Sequence, residues 1–364
     1  MFAAGWILFA FVSIWVIPPT IGFLRRSLSR AASPPDDPPA VTVIVAARNE
    51  ADHVEAALRS LLASEDIELQ LIAVNDRSTD ATGEIMDRIA RDDARLQVVH
   101  VDHLPEGWLG KTHAMHVAAG HATADLIVFT DGDVVFQPNG LSTACLYADR
   151  EQLDHLCLLP EMIPGKYMEN ACLAFFGLAY AIGLQVHMIR TRWWPFSYAG
   201  VGAFNLVRRS FYEQVGGHRP IAMDVVDDVK LGKLIRREGG RVDFLRAPDL
   251  MSVRWQPSLY GMITGLEKNA FASLNYSVVM VLLCSVAFLL TMICPYVVPF
   301  WTDLETASGF LATILVWHSA YGSIASIMPG GWKLIPMFPV AASIMSFAWW
   351  RSAWITLRQG GVRW

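Results

Sequence analysis

Apolar residues are unevenly distributed along this chain. The run "FAAGWILFAFVSIWVIPPTIGFL" (Phe2–Leu24) carries no charge. It is long enough to cross a bilayer, which takes about 20 such residues. Three more apolar runs lie near the C-terminus, at about 277–301, 309–328 and 334–357. Between the two ends the pattern changes. Short β-branched runs ("VTVIVAA", "LQLIAVND", "RLQVVHVD", "DLIVFTDGD") alternate with helical stretches ("ADHVEAALRSLLAS", "ATGEIMDRIARD", "THAMHVAAGHAT"). A continuous run such as "VTVIVAA" is what a strand buried on both faces requires. Four strands with three intervening helices predict right-handed βαβ units and a doubly wound α/β sheet.

The predicted organisation has five parts: an N-terminal anchor over 1–25, a linker over 26–40, an α/β domain over 41–270, C-terminal membrane helices over 277–357, and a tail over 358–364. Within the linker, "RAASPPDDPPA" (Arg30–Ala40) is too Pro-rich to form helix.

Composition supports membrane attachment. The chain is 53% hydrophobic and only 17% charged, against roughly half and a quarter in soluble domains. Its net charge of −5 shows no basic face for nucleic acid. Arg25, Arg26 and Arg30 follow the first run directly. The positive-inside tendency therefore puts the N-terminus outside and the next segment in the cytosol. A cleaved signal peptide would need a basic region before the run and a small-residue cleavage site after it, and neither is present. Asp303 and Glu305 suit an outer loop. Simple alternation leaves Arg358 and Arg363 outside, unless Pro336 and Pro339 make the last run re-entrant. The five cysteines have no metal-like spacing and read as buried filler.

Ligands of doubly wound sheets bind at the carboxyl ends of the strands. Here the first strand runs into Arg48, Asn49 and Glu50, the second into Asn75 and Asp76, and the fourth into Asp131 and Asp133. The dinucleotide fingerprint Gly-x-Gly-x-x-Gly is absent, and "GWLGKT" lacks the spacing and strand of a phosphate loop. Residues i and i+2 of an extended chain point the same way, so Asp131 and Asp133 can share one site. Hard cations take such oxygens, and Mg²⁺ typically combines one or two carboxylates with substrate phosphates. Asp-Gly-Asp also makes an ordinary turn. Lys111 precedes a helix, as either a phosphate-side cation or a solvated lysine. His113, His116 and His121 lack a metal pattern and read as core or surface histidines. Asp224, Asp227 and Asp228 crowd one helix start. Three acids exceed what a cap needs, which leaves one available as a general base.

Taken in this order, the residues resemble the inverting glycosyltransferase family 2, with its GT-A (Rossmann-like) fold, across about 41–268. The bacterial hopene-associated and carotenoid glycosyltransferases are similar in "GWLGK" and in their terminal membrane segments. The resemblance implies that "VIVAARNE" is the nucleotide-binding loop, with Ala46, Arg48 and Glu50 near the uridine. In that family proline often stands where Ala46 does. Asp76 of "VNDRSTD" would take the uracil, Lys111 would lie near the diphosphate, and Asp131 and Asp133 would hold Mg²⁺ or Mn²⁺. Gly202 and Phe204 would line the acceptor side, and Asp227-Asp228 would stand for the usual Glu-Asp, with Asp228 as base. "MSVRWQ" matches half of the Gln-x-x-Arg-Trp motif of processive synthases, since Met251 replaces the glutamine. Arg254 is then a phosphate ligand or a structural arginine, and Trp255 belongs to the acceptor side.

The apolar stretch "ACLAFFGLAYAIGLQVHMIRTRWWPF" (Ala171–Phe196) lies inside the α/β domain. Spanning a membrane there would separate the carboxylates, so the expected element is an interfacial helix near 171–190, with a buried core helix as the alternative. Arg190, Arg192, Trp193 and Trp194 would sit at the headgroups. The expected partners are a nucleotide sugar, a membrane lipid acceptor and the bilayer. The expected place is a bacterial inner membrane, with the catalytic domain cytosolic. A nucleotidyltransferase and a nucleotide-binding scaffold without chemistry remain as alternatives.

Overall fold

The computed structural model describes residues 2–29, 35, 37–191, 194–256 and 258–359. Arg30, Arg192, Trp193, Arg363 and much of the Pro-rich linker lie outside the described residues. In chain order the helices and strands are α1 (Phe2–Arg25), β1 (Ala40–Ala47), α2 (Val54–Leu62), β2 (Glu68–Asp76), α3 (Thr82–Asp92), β3 (Leu96–Val101), α4 (Gly110–Ala119), β4 (Leu126–Asp131), β5 (Val135–Phe136) and α5 (Gly140–Arg150). There follow β6 (His155–Met162), α6 (Tyr167–Gly183), β7 (Asn205–Arg208), α7 (Arg209–Gln214), α8 (Asp227–Arg237), β8 (Val242–Val253) and α9 (Leu259–Ser273). The last four are α10 (Val278–Phe288), α11 (Cys294–Val297), α12 (Leu304–Ala325) and α13 (Phe338–Gln359).

These elements form two compact units, one of residues 26–163 with 188–254, the other of 1–25, 164–187 and 255–364. The first unit holds a sheet in the order β3-β2-β1-β4-β7-β6-β8-β5. Its β3-β2-β1-β4 half is parallel, as the alternating pattern requires. The other half is mixed: β7 runs antiparallel to both β4 and β6, while β6 and β8 are parallel. β1 is central, and Val41, Val43, Ile44 and Val45 have no exposed surface. One side of the sheet packs on the apolar stripes of α2 and α3 through Leu58, Leu61 and Met86. The winding reverses between β1 and β4, with β2 on the other side of β1, which puts the carboxyl ends of all three beside one crevice.

The second unit is helical. Among the described residues, three of its segments are long and apolar enough to cross a membrane: Ala3–Arg25, Val278–Trp301 and Gly331–Gln359. The run expected at 309–328 lies in α12, whose serines, threonines and His318 keep it out of that set. α1 and α12 meet at Gly5 and Gly309, where a Cβ on Gly309 would lie 2.5 Å from the Gly5 carbonyl carbon. Such small-residue contacts let helix backbones approach without a hydrophobic drive. Pro336 sits in a short 3₁₀ segment and Pro339 in the first turn of α13, where a missing N–H costs nothing.

The stretch expected at an interface, near 171–190, forms α6, and it is enclosed rather than one-faced. The Tyr321 hydroxyl of α12 donates to the Ala171 carbonyl at 3.0 Å, and Phe175 meets Phe338 of α13 at 6.0 Å between ring centroids. Ala171, Ala174, Gly177 and Ala181 supply the small spacing that allows this packing. The α/β unit accordingly ends at Arg254 and omits 164–187, whereas the sequence pattern suggested one domain over 41–270.

Candidate active site

The site forms where β1, β2 and β4 end. β4 stops at Asp131, and Gly132-Asp133 makes a turn before β5, so the turn and the paired carboxylates coexist. Gly132 allows that turn to press on β1, since a Cβ there would lie 3.1 Å from the Ala47 Cβ. Ala46 is partly buried in β1, its carbonyl 3.9 Å from that same point. Arg48 follows, exposed, and Glu50 is half-buried. Burial, Asp133 and Asp131 lift the Glu50 carboxyl above its usual value. Burial and Asp131 push Asp133 up to about 6.

The first turn of α4 brings Lys111 into this group. Its Nζ lies 2.6 Å from Asp131 Oδ1 and 4.0 Å from Asp227 Oδ1. Burial disfavours the ammonium, but Asp131, Asp227 and Asp228 outweigh it and raise its pKa. The two acids at the start of α8 are both raised, chiefly by burial, with Lys111 opposing. The Asp228 carboxylate accepts from the Val229 N–H at 2.7 Å and from the Gly202 N–H. Asp224 stands apart, paired with Lys230 at 3.5 Å.

The segment 199–205 closes the site through its glycines. A Cβ on Gly202 would collide with the Asp131 carboxylate and sit 3.2 Å from Lys111 Nζ. A side chain at Gly200 would run into the Asp228 backbone. Phe204 itself is fully buried with Phe136, so the segment presents its backbone around Gly202, not that ring. Arg254 is exposed beyond the end of β8. Trp255 belongs to the helical unit, where its ring lies 4.6 Å from that of Phe176.

Several residues that shape the site were not singled out from sequence. Asp80 accepts from the Thr82 N–H at 3.0 Å and the Ala51 N–H at 3.2 Å. Asn49 Oδ1 accepts from the Thr79 N–H at 2.8 Å, and the Glu50 N–H donates to Thr82 Oγ1 at 2.8 Å. These bonds stitch the loop after β1 to the loop after β2. The Ser, Thr, Asn and Asp content of both loops is the signal that could have revealed them. Beside them, Arg77 clamps Asp76 with two bonds, Nε to Oδ1 at 2.7 Å and Nη2 to Oδ2 at 3.0 Å. Trp108 stacks on His116 at 4.8 Å, which gives those α4 histidines a packing role.

Among the described residues no three His, Cys, Asp or Glu side chains enclose an ion. The donor set nonetheless fits a hard divalent cation that takes two carboxylates from protein and its remaining oxygens from a diphosphate. Asp131 and Asp133 are hard oxygen donors on one turn, and Gly132 and Gly202 add no side chain of their own beside them.

Over 216 residues the chain is 28% identical to a 4,4'-diaponeurosporenoate glycosyltransferase of Staphylococcus aureus (strain USA300), covering 58% of this chain and 55% of that protein. The homologue of strain N315 is 28% identical over 199 residues, 53% of this chain and 50% of its own. The chain thus spans about half the length of these curated relatives. A mannosyltransferase from Pyrobaculum calidifontis, solved with GDP-Man and Mn²⁺, shares the fold at a TM-score of 0.54 and 19% identity, covering 94% of this chain and 99% of its own. The sheet unit therefore has the GT-A fold that the sequence resemblance implied. Residues 42–216 match the profile of Glycosyl transferase family 2.

Proposed function

We propose that this protein is a membrane-bound, metal-dependent inverting glycosyltransferase that moves a sugar from a UDP-linked donor to a hydroxyl of a lipid. A hopanoid or another polyisoprenoid-derived lipid is the acceptor class. The carrying observation is the meeting of Asp131, Lys111, Asp227 and Asp228 at one strand edge. Asp228, held by two backbone N–H groups, takes the proton from the acceptor hydroxyl. The freed oxygen attacks the anomeric carbon from the face opposite the diphosphate. The bond from that carbon to the phosphate oxygen breaks, and the configuration inverts. Asp131 and Asp133 would hold Mg²⁺ or Mn²⁺, which supplies positive charge for the departing diphosphate. Lys111 adds a second cation on the same side, with Arg254 as a further phosphate ligand.

The membrane reading rests on the three long apolar helices, and the basic residues after α1 favour a cytosolic catalytic unit at a bacterial inner membrane. The relatives' name specifies a carotenoid carboxylate, and a carboxylate acceptor arrives already ionised. The buried acid pair at 227–228 favours a hydroxyl acceptor, which needs a base.

The test is UDP release from a panel of UDP-sugars by detergent-solubilised protein with Mn²⁺ and membrane lipid. Wild type should release UDP only when lipid is present, and Asp133→Asn and Asp228→Asn should not. Metal-dependent UDP binding without release from any donor would remove the transferase reading and favour a nucleotide-binding scaffold. Transfer of the nucleotide instead of the sugar would favour a nucleotidyltransferase.

A further inference from the structure

Length and composition single out Gly331–Gln359 as a membrane crossing and pass over α12. The contacts of α13 set it at a different depth. α1 and α12 run parallel. Gly5 meets Gly309 at one end, and at the other a Cβ on Gly177 would lie 3.4 Å from Ile324 and 3.9 Å from the Phe23 ring. The run Val278–Trp301 goes the opposite way, ending just before α12 begins. Trp317 of α12 marks a shared level within that run, since its Nε1 donates to the Thr291 carbonyl at 3.0 Å. Phe338, the first residue of α13, sits at this same level. Its ring centroid lies 5.9 Å from that of Trp317, 5.2 Å from His318 and 5.4 Å from Tyr321. Further along α13, Ala353 shares a buried cluster with Phe271 and with Val281 of the first turn of α10. The Phe271 N–H donates to Ser352 Oγ at 3.0 Å. α13 therefore runs from the level of Thr291 back to that of Val281, about 15 Å of α10 at 1.5 Å per residue. It never approaches the end marked by Asp303. The backbone leading into it is covered by protein, as irregular chain at membrane depth must be. Asn170 Nδ2 donates to the Pro329 carbonyl at 3.1 Å and the Tyr167 hydroxyl to that of Lys333, while Leu334 has no exposed surface.

We propose that α13 is a re-entrant helix that starts at mid-depth and emerges on the cytosolic face, where it seats on phospholipid headgroups. This rests on the membrane reading above. Arg351 pairs with Glu267 of α9, a helix of 15 residues that is too short to cross. Among the described residues, Arg25, Lys333, Arg351 and Arg358 then share one side, and Asp303 and Glu305 take the other. That segregation satisfies the positive-inside tendency, which simple alternation of four crossings violates. The surface of α13 agrees. Val340, Phe347, Trp350, Trp354 and Leu357 are all exposed and recur at helical spacing, opposite the buried face of Ala341, Ala342, Met345, Ala348 and Ser352. Both tryptophans lie in the half that emerges, and Arg358 sits 5.9 Å over the Trp354 ring. Tryptophan and arginine are the residues that anchor at headgroups.

Nitroxide labels read depth directly. The full chain in liposomes, with Cys145, Cys157, Cys172, Cys284 and Cys294 replaced by alanine, would carry one label at Val340→Cys, Phe347→Cys, Trp350→Cys, Trp354→Cys or Leu357→Cys. Depth, read from collisions with oxygen against a nickel chelate, should fall steadily across the five by about 15 Å, reaching headgroup level at 354. A crossing helix would instead be deepest near 347–350 and shallow at both ends. That profile overturns the proposal and leaves the membrane reading intact. Five labels open to water would remove both. Sidedness needs no cysteine change. Green fluorescent protein fused after Trp364 should fluoresce in bacterial cells, and alkaline phosphatase fused there should be inactive. An active phosphatase with dark fluorescent protein would put the tail outside and overturn the re-entrant path.

Discussion

Two buried aspartates show how differently this chain uses the same pairing of acid and base. Asp243, at the start of β8, has no exposed surface. It accepts from Arg26, from the Tyr147 hydroxyl at 2.9 Å and from the Phe244 N–H at 2.8 Å, with Arg190 Nε at 3.7 Å. One carboxylate faces an excess of donors. Asp227 has the opposite balance, since Lys111 faces Asp227, Asp131 and Asp228 together. A buried acid whose donors are in place is structural. A buried acid left in a group with surplus negative charge has an affinity for added positive charge, whether a proton or a metal. The imbalance, not the burial, marks the site.

The sharpest way to break this contrast is to neutralise one acid on each side. Asp228→Asn keeps shape and removes the base, and should lower kcat by about 10³-fold, within the range for lost general-base catalysis. Its folding should be little affected, because one negative charge leaves an acid-rich cluster. Asp243→Asn should do the reverse. Breaking a buried pair costs about 3–5 kcal/mol, read by denaturant melts, while kcat per folded molecule stays near wild type. A large kcat loss in Asp243→Asn, with folding intact, would erase the distinction.

Lys111→Met tests the balance itself. Loss of one preorganised charge at a leaving group is worth about 10²-fold in rate, measured as kcat with saturating donor. If Lys111 is only a solvated lysine, the rate will not move. Gly202→Ala should act in the same direction, because its methyl would displace the Asp131 carboxylate.

How much of this could be read from sequence follows from where each feature is encoded. The parallel half of the sheet was legible because β-branched runs and amphipathic helices alternate there at regular spacing. The strand-end carboxylates followed from topology alone. The β7-β6-β8 half was not legible: β7 has four residues, and its pairing with β4 and β6 is a long-range choice without local periodicity. The enclosure of α6 was only half legible, as the alternative to an interfacial helix. Its small residues signal close packing, but only the fold names α12 and α13 as partners. Arg77 was missed because its positive φ, uncommon at a non-glycine residue, has no local sequence signature. The role of Gly202 follows from a backbone approach that a glycine in a loop does not announce.

The pH profile is the smallest effect, and it returns to the same contrast. A general base works only when ionised, so its raised pKa sets where the rate begins to fall. Burial lifts Asp227 to about 7, and Asp228 shifts in the same direction. With the donor saturating, the rate should rise about tenfold per pH unit along an acid limb displaced above the ordinary carboxylate range, and then level off. Lys111 favours the ionised acids, so Lys111→Met should move the whole limb to higher pH. Asp243→Asn should leave it in place, because Asp243 has its own donors. A limb near pH 4 in wild type would mean that the acid pair does not carry the base. A Lys111→Met limb that stays put would show that the lysine balances only Asp131.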